Sequence, residues 1–349
     1  MFAVKFREIP RAFKVISLAV LLLFAFAACE QERPGIQSPN YFASDIPEEL
    51  FPIRYRIKWQ HQAQFAGSYM AYEKGFYLKR GLEVEILPGG VSHPPYKSLI
   101  NKESEISNIN LFSAIETYHK GPPLVNLAQI SQSNSTLLVG KKTSGIKTLN
   151  DLQGKRIGVW RDEQGDYIRL FFEYLGLDVQ IVPMDWSVNL LLNDAVDVMN
   201  AMTYNEYHRI LMAGLDEDEL ITFDLADYGF NLIDDGLYAT RDFYDNHTQE
   251  CIAFAEATTE GWIYALNHRE ETLNVILRYL RLYNLPANRA HQAWMLDHMY
   301  WHIFDESAAI GYLSPSDFKM AHEILEEHGW ISQPVDYKTF YPHEIRKKN

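Results

Sequence analysis

Between Ile53 and Ala213 short apolar runs alternate with amphipathic stretches, and the alternation occurs twice. The first series reads as strand over Ile53 to Trp59, helix over Phe65 to Lys79, strand over Val84 to Leu87, helix over Tyr96 to Asn101 and strand over Ile106 to Ile109. The second places strands over Arg156 to Trp160, Val179 to Val182 and Val196 to Met199, with helices over Asp166 to Leu175, Trp186 to Asn193 and Tyr204 to Ala213. This pattern predicts an α/β fold with mostly parallel sheets. An internal echo supports duplication: Gly81-Leu82-Glu83-Val84 and Gly176-Leu177-Asp178-Val179 each close the first helix of a series. Glycine supplies the positive φ that a helix end needs, and the residues after it start the next strand. Two such lobes joined by crossing segments leave a cleft between them, at the C-terminal ends of the strands. Ser135 to Lys141 and Gly236 to Thr240 are the expected crossings, so that 53–140 with 241–345 form one lobe and 141–240 the other. Beyond Arg241 the pattern is helical over Cys251 to Asn267, Glu271 to Tyr283, Arg289 to Trp301 and Pro315 to His328, and these helices are expected to cover the first lobe.

Ahead of this body, Lys5, Arg7, Arg11 and Lys14 precede an apolar run from Val15 to Ala28. The run is too short for comfortable spanning, about 20 apolar residues being needed, and it ends in small residues followed by a cysteine, as a secretory signal does. Phe26-Ala27-Ala28-Cys29 resembles a bacterial lipobox, which implies cleavage before Cys29 and lipidation of its thiol; an ordinary signal or single anchor helix is the alternative. Residues 1–28 are thus an expected lipoprotein signal. Residues 29–52, rich in Glu, Pro, Ser and Asn and without apolar period, are an expected tether. The chain has only 2 cysteines, so lipidation of Cys29 leaves Cys251 without an intrachain partner. Loss of the leader moves the formal charge from −14 to about −17 and leaves no basic stripe, which disfavours nucleic-acid partners.

Glycine-rich phosphate loops, HExxH, CxxC and GxSxG are all absent from the sequence. His298 and His302 lie one helical turn apart, with His291 two turns before them, but no carboxylate is placed with them; a polar helix face beside Trp294 and Trp301 is the simpler reading. Two other stretches resist explanation as packing. Lys58-Trp59-Gln60-His61-Gln62-Ala63-Gln64-Phe65 joins a strand to a helix, and Trp59 and Gln62 there offer a stacking face and an amide. Equally, Trp59 can be core and the glutamines solvated loop. Met202-Thr203-Tyr204-Asn205-Glu206-Tyr207 again follows a strand and opens a helix, where the backbone dipole favours an ionised Glu206. That carboxylate can accept hydrogen bonds from an aminopyrimidine edge while Tyr204 stacks on the ring; a capping acid with no ligand is the alternative.

At these residues the chain resembles the bacterial solute-binding proteins of ABC importers that capture thiamine pyrimidine precursors of the hydroxymethylpyrimidine type. They form one branch of a group containing sulfonate, nitrate and riboflavin binding proteins and the eukaryotic pyrimidine synthases. The likeness is carried, among other stretches, by Trp59 to Gly67, Glu73-Lys74-Gly75-Phe76-Tyr77, Leu87-Pro88-Gly89-Gly90, Leu152 to Trp160, Tyr204-Asn205-Glu206-Tyr207, Asp234-Asp235-Gly236 and Gly261-Trp262-Ile263-Tyr264. It implies the type II periplasmic binding protein fold, two α/β lobes around a central cleft, with a pyrimidine held between aromatics. Residues matching Trp59, Tyr204 and Glu206 bind ligand in that family, and Gln62 stands where relatives carry asparagine. Phe112, Trp160, Asn205 and Asp235 complete the expected lining. No cofactor is expected; the expected partners are a small heterocycle, an ABC permease and, through Cys29, a membrane surface, with a monomeric chain on the periplasmic or cell-surface side.

The departures from the family also carry information. Gly89-Gly90-Val91-Ser92-His93-Pro94-Pro95 replaces the usual Gly-Gly-Pro-Asp loop that faces the cleft in relatives, which bears on ligand identity. The synthases use a cofactor-bearing lysine, a nearby histidine and a cysteine cluster. Ser107 to Ala114, where the first two should fall, holds Asn108, Asn110 and Ser113 instead, so an enzyme has lost its chemistry. A binding protein for another heterocycle or a sulfonate, and a ligand sensor, stay as alternatives to the pyrimidine importer component.

Overall fold

The computed structural model describes residues 46–161, 163–304 and 309–342. The leader, Cys29 and most of the expected tether lie outside the described residues.

Ten strands form two five-stranded sheets. In the first, β2 (Leu82–Leu87), β1 (Phe51–Arg56), β3 (Ile106–Asn110), β10 (Asp235–Thr240) and β4 (Leu124–Gln129) lie side by side in that order. In the second the order is β7 (Gln180–Met184), β6 (Arg156–Trp160), β8 (Val198–Met202), β5 (Thr136–Lys141) and β9 (Leu220–Asp224). The two orders are the same, 2-1-3-x-4, once the strand that enters from the other lobe (x: β10 in the first sheet, β5 in the second) is set apart and the other four are counted in chain order. β1 pairs in parallel with β2 and β3, as β6 does with β7 and β8. β10 and β5 run against both of their neighbours. The sheets are therefore mixed, and the reason is topological. A strand that has just crossed from the other lobe starts at the cleft edge, where the parallel strands end, and must run the opposite way.

Sheet membership moves the crossings. Thr136–Lys141, expected as a crossing, is a strand of the second sheet, and Asp235–Thr240 is a strand of the first. The chain passes between lobes just before each, at 130–135 and 230–234. Both passages are tied down: Ile130 and Ser131 donate backbone N–H to Asp235 O at 2.9 Å each, Leu111 N donates to Asp234 O at 3.2 Å, and the Ser135 hydroxyl bonds the Asp234 carboxylate.

Central strands β3 and β8 are buried along their whole length, and so is β4 although it closes one edge of its sheet, because helices pack over them. Edge strand β2 instead buries Leu82, Val84 and Ile86 and turns Glu83 and Glu85 outward; edge strand β7 tolerates Pro183, which has no ladder hydrogen to lose. The echoed glycines adopt φ of 76° at Gly81 and 66° at Gly176, as the helix ends require. Helix Ala66–Glu73 packs on helix Thr248–Asn267 so closely that a Cβ on Gly67 would overlap the Trp262 ring and one on Gly261 would overlap Gly67 O. Cys251 is fully buried in this layer and its thiol is pushed up to about 12 by burial, which makes it a packing residue. Phe112 belongs to the apolar cluster that joins the lobes behind the cleft, with its ring 6.0 Å from Tyr167 and 5.6 Å from Trp330.

Candidate functional site

The residue after β1 that faces the second lobe is Trp59. Backbone bonds hold it there: Gly90 N donates to Lys58 O at 3.1 Å and Gly89 N to Trp59 O at 3.0 Å, so the loops after β1 and β2 run together. Arg56 Nη1 adds a bond to Pro88 O at 2.8 Å. Behind this aromatic a buried polar chain organises the floor. Gln62 Nε2 donates to Gln64 Oε1 at 2.6 Å, Gln64 Nε2 donates to Asp235 Oδ2 at 2.7 Å, and Lys58 Nζ lies 2.6 Å from Asp235 Oδ1. Burial raises the Asp235 carboxyl above the usual carboxylate range and Lys58 pulls it back down. Asn110, at the end of β3, caps helix Leu111–Glu116 through its oxygen, which accepts from Ser113 N at 2.7 Å. Its amide nitrogen is then the group able to donate into the cleft.

From the second lobe, β8 ends at Met202, three residues later than the sequence suggests, and the chain turns through Thr203, Tyr204 and Asn205 into helix Glu206–Met212. The Glu206 carboxylate is buried and folds back on the strand end. Oε2 accepts from Met202 N at 3.1 Å and Oε1 accepts from Asn205 Nδ2 at 3.0 Å, so this acid does not cap the helix that it opens. Tyr204 is buried, and desolvation together with the Asp235, Asp234 and Glu206 charges raises its hydroxyl pKa, which keeps the group a donor. Trp160 ends β6, its N–H donating to Asn200 Oδ1 at 3.3 Å.

These groups face one cavity of about 370 Å³ between the lobes. Trp59 and Gln62 line it from the first lobe, and Trp160, Tyr204, Asn205 and Glu206 from the second. Two expected residues are elsewhere. Phe112 lies in the apolar cluster, because it falls within helix Leu111–Glu116, where its ring meets Tyr167 and Trp330. Asp235 stands one layer behind the lining, consumed by Lys58 and Gln64. The sequence reading missed Lys58, Gln64 and Asn110, and it missed Trp186 and Arg161 at the mouth. Lys58 and Asn110 carried the signal that exposed Trp59, namely a polar side chain at a strand's C-terminal end. Gly90, Val91, Pro94 and Pro95 of the departing loop also line the cavity. Its volume sits in the range of small-molecule sites, about 300–1,000 Å³.

A third element reaches the site. Helix Arg289–Ile303 lies against the first lobe, where Gln292 Oε1 accepts from Ala63 N at 2.7 Å, and it also grips the turn after β8. Trp294 Nε1 donates to Thr203 O at 3.1 Å, and His302 Nε2 bonds the Thr203 hydroxyl at 2.8 Å while its Nδ1 bonds Ser133 Oγ at 2.9 Å. His298 Nδ1 bonds Trp294 O at 2.9 Å. Among the described residues no group of three or more His, Cys, Asp or Glu side chains could hold a metal ion.

The model of the NMT1/THI5-like family matches residues 62–272. A riboflavin-binding protein, RibY, of Chloroflexus aurantiacus is 20% identical over 95% of this chain and 97% of its own length. A formylaminopyrimidine-binding protein of Halalkalibacterium halodurans is 22% identical over 93% of this chain and 96% of its own. Among solved structures, the periplasmic aliphatic sulphonate binding protein SsuA of Escherichia coli superimposes with a TM-score of 0.64 at 15% identity, over 85% of this chain and 94% of that one. The fold is that of the periplasmic binding proteins, the two α/β lobes that the alternation of elements had pointed to.

Proposed function

Because the chain belongs to the NMT1/THI5-like family, we propose that it is the solute-binding component of an ABC importer and that its lobes close on a flat nitrogen heterocycle of the thiamine-precursor pyrimidine type. The observation that carries this is convergence: an indole from the first lobe, Trp59, and a carboxylate and phenol from the second, Glu206 and Tyr204, line one cavity. Glu206 accepts from the exocyclic amine and neighbouring donors of the ring edge, a charge-assisted contact in a site of low dielectric. Trp59 and Trp160 supply aromatic faces, and Gln62, Asn110 and Asn205 discriminate by hydrogen bonding. A wrong ligand leaves such groups unpaired at about 1–3 kcal/mol each. The binding-protein relatives support capture over turnover. Export through the leader, a lipid anchor at Cys29 with residues 29–52 as tether, the last two of them already in β1, a permease partner and a monomeric state complete the proposal.

A second reading, a larger flavin-type heterocycle, is favoured by the likeness to RibY and by a cavity roomier than one pyrimidine needs. A thermal-shift panel of hydroxymethylpyrimidine, thiamine, riboflavin and an alkanesulfonate, followed by calorimetry, separates the two. The pyrimidine is expected to stabilise most. Stabilisation by riboflavin alone selects the second reading, and stabilisation by the sulfonate alone defeats both, since the buried Glu206 should repel an anion.

A further inference from the structure

The histidines of helix Arg289–Ile303 are not used by the ligand contacts above, yet one of them reaches the site. His291 Nε2 lies 3.0 Å from Asn205 Oδ1, and its Nδ1 lies 2.9 Å from Nδ1 of His208 on helix Glu206–Met212. The two imidazole planes are within 7° of parallel with centroids 5.2 Å apart, as an in-plane bond between ring nitrogens requires, and His208 in turn stacks on Trp294 with centroids 4.5 Å apart. His291 is buried, as are Asn205 and Glu206.

The direction of every bond in this row follows from its last member. A carboxylate only accepts, so the Asn205 group facing Glu206 Oε1 is the amide nitrogen, and the Asn205 group facing His291 is the amide oxygen. An amide oxygen only accepts as well, so His291 Nε2 carries a hydrogen. Burial lowers the His291 pKa to about 4, with Arg209 and His208 adding positive charge nearby, so the ring is neutral and its Nδ1 is bare. His208, also lowered by burial, must then donate from Nδ1. The row His208 to His291 to Asn205 to Glu206 thus has one polarity and ends on the carboxylate in the cleft.

We propose that His291 is a positioning residue for the ligand-facing carboxylate: from outside the cleft, on a helix seated against the first lobe, it orients the Asn205 amide and through it Glu206 of the second lobe. This rests on the reading that Glu206 meets the ligand. Its neighbour Gln292 bonds Ala63 N in the first-lobe loop that carries Gln62 and Gln64. Adjacent residues of one helix therefore hold the two halves of the site in register.

The test is a double-mutant cycle read by calorimetry with hydroxymethylpyrimidine, together with nitrogen NMR of the wild-type protein at neutral pH. His291→Leu should weaken binding about tenfold in the wild-type background and less than about twofold in a Glu206→Gln background, because contacts in one hydrogen-bond network are not additive. His291→Gln, whose amide nitrogen can take the place of Nε2, should restore affinity to within about twofold of wild type. Equal losses in both backgrounds would mean that His291 acts on the fold at large, and the proposal falls. If Glu206→Gln alone leaves binding unchanged, the assignment of Glu206 as a ligand contact falls first. NMR decides without a ligand: His291 protonated at Nε2 and His208 at Nδ1 is the expected pair, and a bare Nε2 on His291 overturns the proposal even if the leucine variant does not fold.

Discussion

After β1 the first lobe turns through Lys58, Trp59 and Gln62, whereas after β8 the second turns through Tyr204, Asn205 and Glu206. The two sheets share one strand order, so both turns arrive at the same edge. What differs is the use of charge. In the first lobe the carboxylate of Asp235 is neutralised by Lys58 and Gln64, and the face left to the cavity is aromatic and amide. In the second, Glu206 accepts from the Met202 N–H and the Asn205 amide, and its side chain lines the cavity. Topology decides where a site can form, and the few residues after each strand decide what it binds. The lobes also differ in cover: the C-terminal helices pack on the first sheet, while edge strand β7 of the second leaves Gln180 and Pro183 exposed.

That contrast can be broken or sharpened in four ways. The largest effect is expected where the helical cover meets the first lobe. Gly261→Val drives a side chain into the backbone of helix Ala66–Glu73 and should cost more than about 4 kcal/mol, read as loss of the thermal unfolding transition. A folded variant would mean that this contact is not tight. Acid comes next. His61, in the first lobe, and His291, between the lobes, are both lowered to about 4 from 6.5, chiefly by burial. The unfolded chain therefore binds protons first as pH falls. Stability is complete above about 6.5 and is lost down to about 4, by about 3 kcal/mol per ring, so that chemical denaturation should show a steep decline across this window. A flat profile would mean that these rings are solvated.

In the third comparison, Glu206→Gln should weaken an aminopyrimidine by about 1.5–3 kcal/mol and Trp59→Ala by about 1–2 kcal/mol, measured by calorimetry. Glu206→Gln should also lower stability by about 1 kcal/mol, because a glutamine amide cannot accept from Met202 N and Asn205 at once. Trp59 is half-buried, so its loss should spare the fold. Equal affinity in either variant removes that residue from the site. The smallest effect tests the duplication itself. Gly81→Ala and Gly176→Ala, with φ of 76° and 66°, should each cost about 1 kcal/mol in thermal unfolding, and a marked difference would mean that the two junctions are not equivalent.

Much of the fold was legible because it is written in short-range patterns. The α/β alternation, the glycine junctions and the four C-terminal helices are local consequences of apolar period and capping, and they recur within a few residues of where the sequence puts them. Strands β4, β5, β9 and β10 went unread as elements, β5 and β10 having been taken for crossings. Leu124–Gln129 is buried on both faces and has no alternation to detect, and Leu220–Asp224 is too short to show a period. In the site, Trp59, Gln62, Tyr204 and Glu206 were visible as polar or aromatic side chains at strand-to-helix turns. Phe112 was misplaced because the cavity takes only the last residue of β3, Asn110, while the helix that follows turns Leu111 and Phe112 into the core.

The sequence by itself determined the architecture and the location of the two turns that line the cavity, since hydrophobic period and turn chemistry act over a handful of neighbours. The tertiary structure alone decided which partner each buried polar group meets. Lys58 meets Asp235 across 177 positions of sequence, and His291 meets Asn205 across 86. A carboxylate's role depends on the partner that folding brings to it: Asp235 meets the Lys58 ammonium one layer behind the cavity, and Glu206 meets the Met202 N–H and the Asn205 amide at its wall.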